Sequence, residues 1–370
     1  MKFNYEDDKL LFNWFSKRDL SLSTQEVYTY AMRDYCRFLD NTLSQLLDEA
    51  ESEQDTVKKM RERHIEGYLS GFKAYLSQMG LSANTIRIKL KAVISFYRNY
   101  DITVPDMTFK KGELCMDKNR GRLPTKDEIS LMMSSCDPKG RTMISIMAMT
   151  GMSQAEVRHL TFKHVLNAVG KKDIKELIES KHEICEEVHS ITLVRKKVGY
   201  KYMTFIPPET MEELINYITA RKNHPKKEKR PQNSNDRIFV NRFGGRLSGK
   251  AVSAYMRRVG LRLGFESEFG SYGFWRPHGM RKYFISTIIN KTGDNVLAHF
   301  CAGHKVDAIT GAYWYPNEED LKQRYLKALP YLSIRGVKIK EVDAEGKEIA
   351  EKHNKIQQRA IENAMNWRQP

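Results

Sequence analysis

Four short stretches in the second half of the chain carry residue types suited to chemistry on an anion. The first is Thr150-Gly151-Met152-Ser153-Gln154-Ala155-Glu156-Val157 and the second is Lys196-Lys197-Val198-Gly199. The third is Pro277-His278-Gly279-Met280-Arg281-Lys282-Tyr283-Phe284; the fourth is Gly303-His304, with Tyr313 nine residues after the histidine. His278 and Arg281 are three apart, so on a helix they share a face and both can reach one group. A guanidinium offers two parallel donors that match phosphate oxygens, and fixed cationic donors stabilise charge that grows in a transition state. A tyrosine hydroxyl, with an ordinary pKa of about 10, needs cations or a base beside it to attack at neutral pH. A lysine on a mobile hairpin can serve as a general acid. Each stretch is a weak signal alone: glycine commonly ends a helix before a polar residue, and a lone tyrosine usually packs in a core. Their order and spacing together are the specific signal.

These stretches need elements to hold them. A capping box at Thr125-Lys126-Asp127-Glu128 opens a domain, and the apolar run 142–149 predicts a buried helix that delivers Thr150-Gly151. Residues 190–206 alternate and are rich in β-branched and aromatic side chains, which predicts a β-hairpin whose tight turn holds Gly199. A short strand is expected over 236–240, after the basic loop 222–235, and helices from Gly249 through 278–330. The first hundred residues read as helical. Ser23-Thr24-Gln25-Glu26 fits a capping box, followed by an apolar stripe of Val27, Ala31, Tyr35, Phe38 and Leu39. The charged stretch 48–63 reads as an exposed helix or loop. Tyr68, Phe72, Tyr75, Leu76 and Met79 mark a further amphipathic helix; Ser82 and Asn84 can cap one carrying Ile86, Leu90, Val93, Ile94 and Tyr97. The expected fold class is therefore mainly α with a small β-hairpin in the second domain. The boundaries drawn are a helical bundle over 1–105, a basic linker over 106–124, a second domain over 125–335 and a charged helical tail over 336–370.

Composition narrows the partners. Lys and Arg total 62 against 46 Asp and Glu, a net charge of +16 over 370 residues. Such an excess attracts polyanions, nucleic acid first and anionic membrane second. Hydrophobic residues make up 41%, enough for ordinary cores rather than a disordered chain. No apolar run is long enough to span a bilayer, and the N-terminus lacks a basic start followed by an apolar stretch, so neither a transmembrane helix nor a signal peptide is expected. Five dispersed cysteines without C-x-x-C spacing argue against a disulfide framework or a zinc site. The expected compartment is the cytoplasm. No P-loop or acidic metal cluster is visible, and no cofactor is expected.

Taken together, the four stretches resemble the tyrosine recombinase (phage integrase) family, most closely its archaeal and archaeal-virus branch, over about residues 125–335. The preceding bundle looks like that family's DNA-clamping domain. The resemblance implies a two-domain, C-shaped clamp on double-stranded DNA. It also implies a site-specific recombinase that integrates or excises a mobile element or viral genome through a covalent 3′-phosphotyrosine. By the same resemblance Arg281 holds the phosphate, His278 acts as proton acceptor or hydrogen-bond donor, and His304 supports the phosphate. Lys197 is the general acid, with Lys196 the alternative, and Tyr313 is the nucleophile. Tyr315 is the runner-up; on a helix the two hydroxyls would point about 200° apart, so only one can face the phosphate. Backbone contacts to DNA are assigned to Lys110, Lys111, Arg120 and Arg122 around the linker, and to Arg87 and Lys91 in the bundle. The family usually works as a tetramer on two sites, with a C-terminal segment docked on a neighbour. Leu321, Tyr325, Leu326, Leu329 and Leu332 supply apolar material either for that docking or for packing on their own domain.

One position departs from the family pattern. An arginine usually stands two residues after the Thr-Gly pair, and here that residue is Ser153, which cannot replace a guanidinium's charge. Glu156 still matches. Arg158 lies five residues on, about 140° around a helix, and so faces elsewhere; Arg141, Arg195 and Arg276 are the other candidate substitutes. The departure leaves a second reading open, a DNA-binding protein that keeps the fold but cuts poorly or not at all.

Overall fold

The computed structural model describes residues 4–56, 58–109, 122–195, 199–265, 273–304 and 316–336. The chain divides into two compact units, Met1–Cys115 and Met116–Pro370. Among the described residues it is mainly helical, with one two-stranded antiparallel sheet, and no helix is long and apolar enough to cross a membrane.

Among its described residues the first unit is a bundle of five α-helices: α1 (Tyr5–Lys17), α2 (Leu22–Leu39), α3 (Leu43–Asp55), α4 (His64–Gln78) and α5 (Ala83–Asn99). Its core is aromatic, with Trp14, Tyr35, Phe72, Phe96 and Tyr97 almost wholly buried. The cap of α2 is Ser21, whose hydroxyl accepts the Thr24 N–H, so the helix starts ahead of the Ser23-to-Glu26 box expected to open it. Of the expected stripe, Ala31 and Tyr35 are buried but Val27 is 47% exposed, and Met32 and Cys36 are buried beside them. The stretch over 48–63, expected as an exposed helix or loop, is helical as far as Asp55 but not wholly exposed. In α3, Leu46, Leu47 and Ala50 are buried, and Glu53 turns inward to accept the His64 N–H at 2.8 Å and pair with Lys58 at 3.2 Å.

The second unit opens with α6 (Lys126–Ser134), where Thr125 and Glu128 form the reciprocal capping box. It continues through α7 (Pro138–Thr150), α8 (Gln154–His159), α9 (Phe162–Val169), α10 (Ile174–Glu179) and α11 (Lys181–Ile184). The hairpin follows, β1 (His189–Arg195) against β2 (Tyr200–Ile206), in the register His189–Ile206 to Arg195–Tyr200. Among the described residues, helices α12 (Pro208–Lys222), α13 (Gly249–Arg262), α14 (Pro277–Thr292), α15 (Asn295–Cys301) and α16 (Glu318–Leu332) follow. Residues 236–240 form no strand; only isolated bridges, Thr161 to Arg237 and Val240 to Arg246, occur there. The segment has apolar residues, but among the described residues it has no neighbouring strand to extend.

Helix α7 is buried from Thr142 to Thr150 and forms the spine of the unit. Leu321, Tyr325, Leu326, Leu329 and Leu332 of α16 are buried in the same core, so they pack on their own unit rather than being held out for a neighbour. Polar contacts to backbone carbonyls help to fasten α16. The Tyr325 hydroxyl donates to the Met149 carbonyl at 2.8 Å, Lys126 Nζ to the Pro330 carbonyl at 3.0 Å, and the Tyr283 hydroxyl to the Leu332 carbonyl at 2.9 Å. Beyond it the Glu209 carboxylate accepts the backbone N–H groups of Ile334 and Arg335.

Candidate active site

The end of α7 supplies the first wall. Gly151 closes the helix, and the Ser153 hydroxyl caps α8 by accepting the Glu156 N–H while Glu156 Oε2 accepts the Ser153 N–H at 2.6 Å. The capping box thus holds the Glu156 carboxylate, only 7% exposed, in a fixed place.

Helix α14 supplies the second. Pro277 at its first position suits a helix start, and the next turn carries His278 and Arg281. Gly279 is dictated by space: a Cβ there would stand 1.8 Å from the Phe274 carbonyl oxygen. Arg281 is buried. Its Nη1 donates to the Gly151 carbonyl at 2.8 Å and lies 3.5 Å from Glu156 Oε2, and its Nη2 donates to the Ala302 carbonyl. The guanidinium therefore joins the end of α7, the start of α8 and the end of α15.

The Gly303-His304 pair is the terminus of α15. Gly303 N–H bonds the Phe300 carbonyl at 2.7 Å and His304 N–H the His299 carbonyl at 2.9 Å, the paired closure of a Schellman motif. The motif needs Gly303 at its φ of +65°, and a Cβ there would also press on the Tyr202 ring at 2.9 Å. The turn sets His304 beside His299, with the two Nδ1 atoms 2.9 Å apart, so only one can donate. Burial, then the charges of Arg281 and Arg195, then His299 and His278, lower the His304 pKa to about 4. His304 is thus neutral at pH 7. Burial, followed by the charges of Lys282 and Arg281, also lowers that of His278.

The hairpin supplies a second guanidinium. Arg195, the last residue of β1, donates from Nη1 to the Gly303 carbonyl at 2.7 Å, and its Nε lies 3.6 Å from Glu156 Oε1. The structure therefore brings Ser153, His278, Arg281 and His304 together with Arg195, Glu156 and His299. Arg158 is held at the Leu247 and Gln154 carbonyls and Arg141 at the Met133 carbonyl, both away from this cluster. Lys196, Lys197, Tyr313, Tyr315, Lys110, Lys111 and Arg120 lie outside the described residues. Arg87 and Lys91 are exposed on α5. Arg122 pairs with Glu128 at 2.5 Å and stacks over Phe274 at 3.8 Å, so its guanidinium has partners within its own unit. Among the described residues no group of His, Cys, Asp or Glu is arranged to hold a metal ion.

The family model described as "Phage integrase family" matches residues 123–320, more than half of the chain. The chain belongs to the phage integrase family. A second model, the phage integrase N-terminal SAM-like domain, matches residues 12–101. Among curated relatives, the tyrosine recombinase XerC of Actinobacillus pleuropneumoniae serotype 7 (strain AP76) is 26% identical over 125 residues, 34% of this chain. The chain spans 37% of that relative's length. The phage integrase fold recurs in solved structures. The Tn1549 transposon integrase in complex with transposon right end DNA aligns with a TM-score of 0.55 at 15% identity, covering 87% of this chain and 99% of that one. XerH bound to palindromic difH substrate aligns at 0.53 and 16%, covering 86% and 83%. A lambda integrase dimer bound to a COC′ core site aligns at 0.53 and 14%, covering 82% and 95%. At these identities the likeness is one of fold.

His299 was missed by sequence reasoning because it falls in no motif, although its five-residue distance from His304 is what a Schellman closure brings together. Arg195 was visible only as one of several arginines that could stand in for the missing one.

Proposed function

We propose that this chain is a site-specific DNA recombinase that cuts and rejoins double-stranded DNA through a 3′-phosphotyrosine. The observation that carries the reading is the convergence of the 151–156, 195, 278–281 and 299–304 segments around the Arg281 guanidinium. That arrangement fixes cationic donors in a largely buried setting, which suits charge developing on a phosphate. In the reading, the Tyr313 hydroxyl attacks phosphorus and its proton passes to an acceptor, for which His278 is the candidate. The bond from phosphorus to the 5′-oxygen breaks, and Lys197 protonates the leaving oxygen. A 5′-hydroxyl from another duplex then attacks the phosphotyrosine and releases the tyrosine. Each step exchanges one phosphoester for another, so neither ATP nor a metal is needed.

The reading extends to the rest of the chain. The 1–105 bundle and the basic 106–124 linker hold the DNA backbone, the 125–335 domain does the chemistry, and the assembly is a tetramer on two sites in the cytoplasm. The archaeal and archaeal-virus branch is the part of the family we favour, and a viral or mobile element's attachment site is the substrate. Ser153 favours a second reading, a DNA-binding relative that cuts poorly. Trapping on a nicked suicide duplex carrying the protein's own site separates the two. The recombinase reading expects a denaturation-resistant protein–DNA band that Tyr313→Phe abolishes and Tyr315→Phe retains. Tight binding with no band at any pH would leave the non-cutting reading in its place.

A further inference from the structure

The short Ser153 side chain is spent on capping α8, and beside it lies a cavity of about 480 Å³. Ser153, Glu156 and Arg195 all line this cavity. Arg195 enters from the hairpin and approaches the same carboxylate that Arg281 uses. Arg281 takes the Oε2 side of Glu156 at 3.5 Å; Arg195 Nε stands 3.6 Å from Oε1, a buried oxygen with no hydrogen bond among the described residues. One carboxylate is thus flanked by a guanidinium on each oxygen. The two differ in access: the Arg281 side chain is 5% exposed and the Arg195 side chain 25%. Arg195 is also tied to the catalytic turn through the Gly303 carbonyl, next to His304.

We infer that Arg195 is the second phosphate-binding guanidinium of the site, reaching from the hairpin strand to do what the arginine absent at position 153 does in the family pattern. The inference rests on the recombinase reading above. Its physical basis is that a phosphate in the site needs cationic donors aimed at its non-bridging oxygens, and the direction from which a planar fork arrives matters less than where it ends. Arg195 is two residues before Lys197 in the sequence, so the phosphate clamp and the proposed general acid are near neighbours along the chain.

The test measures single-turnover formation of the covalent band with the full chain on two nicked duplexes. One has an ordinary scissile phosphate; the other has a methylphosphonate there, which is neutral. Arg195→Ala is expected to slow cleavage of the phosphate by roughly 100–1000-fold and cleavage of the methylphosphonate much less. Arg195→Lys, which keeps the charge without the fork, should fall between wild type and Arg195→Ala. Ser153→Arg added to Arg195→Ala should recover part of the lost rate. Urea unfolding of each variant identifies any that fails to fold, in which case Arg195→Lys carries the comparison. Equal losses on both duplexes would mark a merely structural residue and overturn the inference, as would an unchanged rate for Arg195→Ala. A wild type that leaves no band on its own site overturns the recombinase reading and this inference with it; a wild-type band insensitive to Arg195 overturns this inference alone.

Discussion

Glu156 is the residue on which the site's charges balance. It accepts the Ser153 N–H and stands between two guanidiniums, so Glu156→Gln removes the carboxylate's charge and leaves both cations unmatched. Breaking a buried pair from one side costs about 3–5 kcal/mol, and urea unfolding should register a loss of that order. His304 makes a second prediction. Its pKa in the folded chain, about 4, lies below the ordinary histidine value, so the unfolded chain binds the extra proton first. The stability His304 contributes is present above the ordinary histidine range, about 6.5, and is lost as pH falls from there toward 4. Unfolding midpoints taken across that window should drop for the wild type and flatten for His304→Gln. Much of this was legible in the sequence, because motif order and the i, i+3 spacing of His278 and Arg281 survive translation into a helix. The partnership of Arg195 with Glu156 was not, because it joins residues far apart in the chain and depends on where a strand ends.

At the scale of elements, the site is held by helix ends. Gly279→Ala would place a methyl group on the Phe274 carbonyl, forcing the start of α14 to shift and carrying His278 and Arg281 with it. Overpacking of this kind costs about 1–3 kcal/mol, and activity on the nicked duplex should fall further than that loss of stability explains. The Asp294 carboxylate caps α15 and is gripped by both Arg324 Nη2 at 2.6 Å and Nε at 2.7 Å, which fastens α16 to the helix whose closing turn carries His304. Arg324→Ala should lower stability by about 1–2 kcal/mol, a bidentate charged pair partly screened by water, measured by denaturant titration. The capping boxes at Thr125 and the 190–206 hairpin could be read from sequence because each is local. The start of α2 and the buried face of α3 could not, because several serines compete for one cap and a charged sequence hides which side meets the core.

At the scale of the molecule, a net charge of +16 should make DNA binding steeply dependent on salt. Removing an exposed cation that meets a phosphate, as proposed for Arg87 and Lys91, should reduce the log–log slope by about 0.9 each. A slope unchanged in both variants would remove α5 from the DNA surface. The fastening of α16 has a consequence for synthesis. The Lys126-to-Pro330 bond spans 204 residues, and Tyr325 reaches back 176 residues to Met149. At roughly 5–20 residues per second, about 10–40 s of translation separate Lys126 from its partner. The first bundle, made of nearby helices, can fold while the ribosome is still at work. The second unit cannot close its core until α16 has emerged, so a nascent chain can already be folded at its front end while the unit behind it is still open.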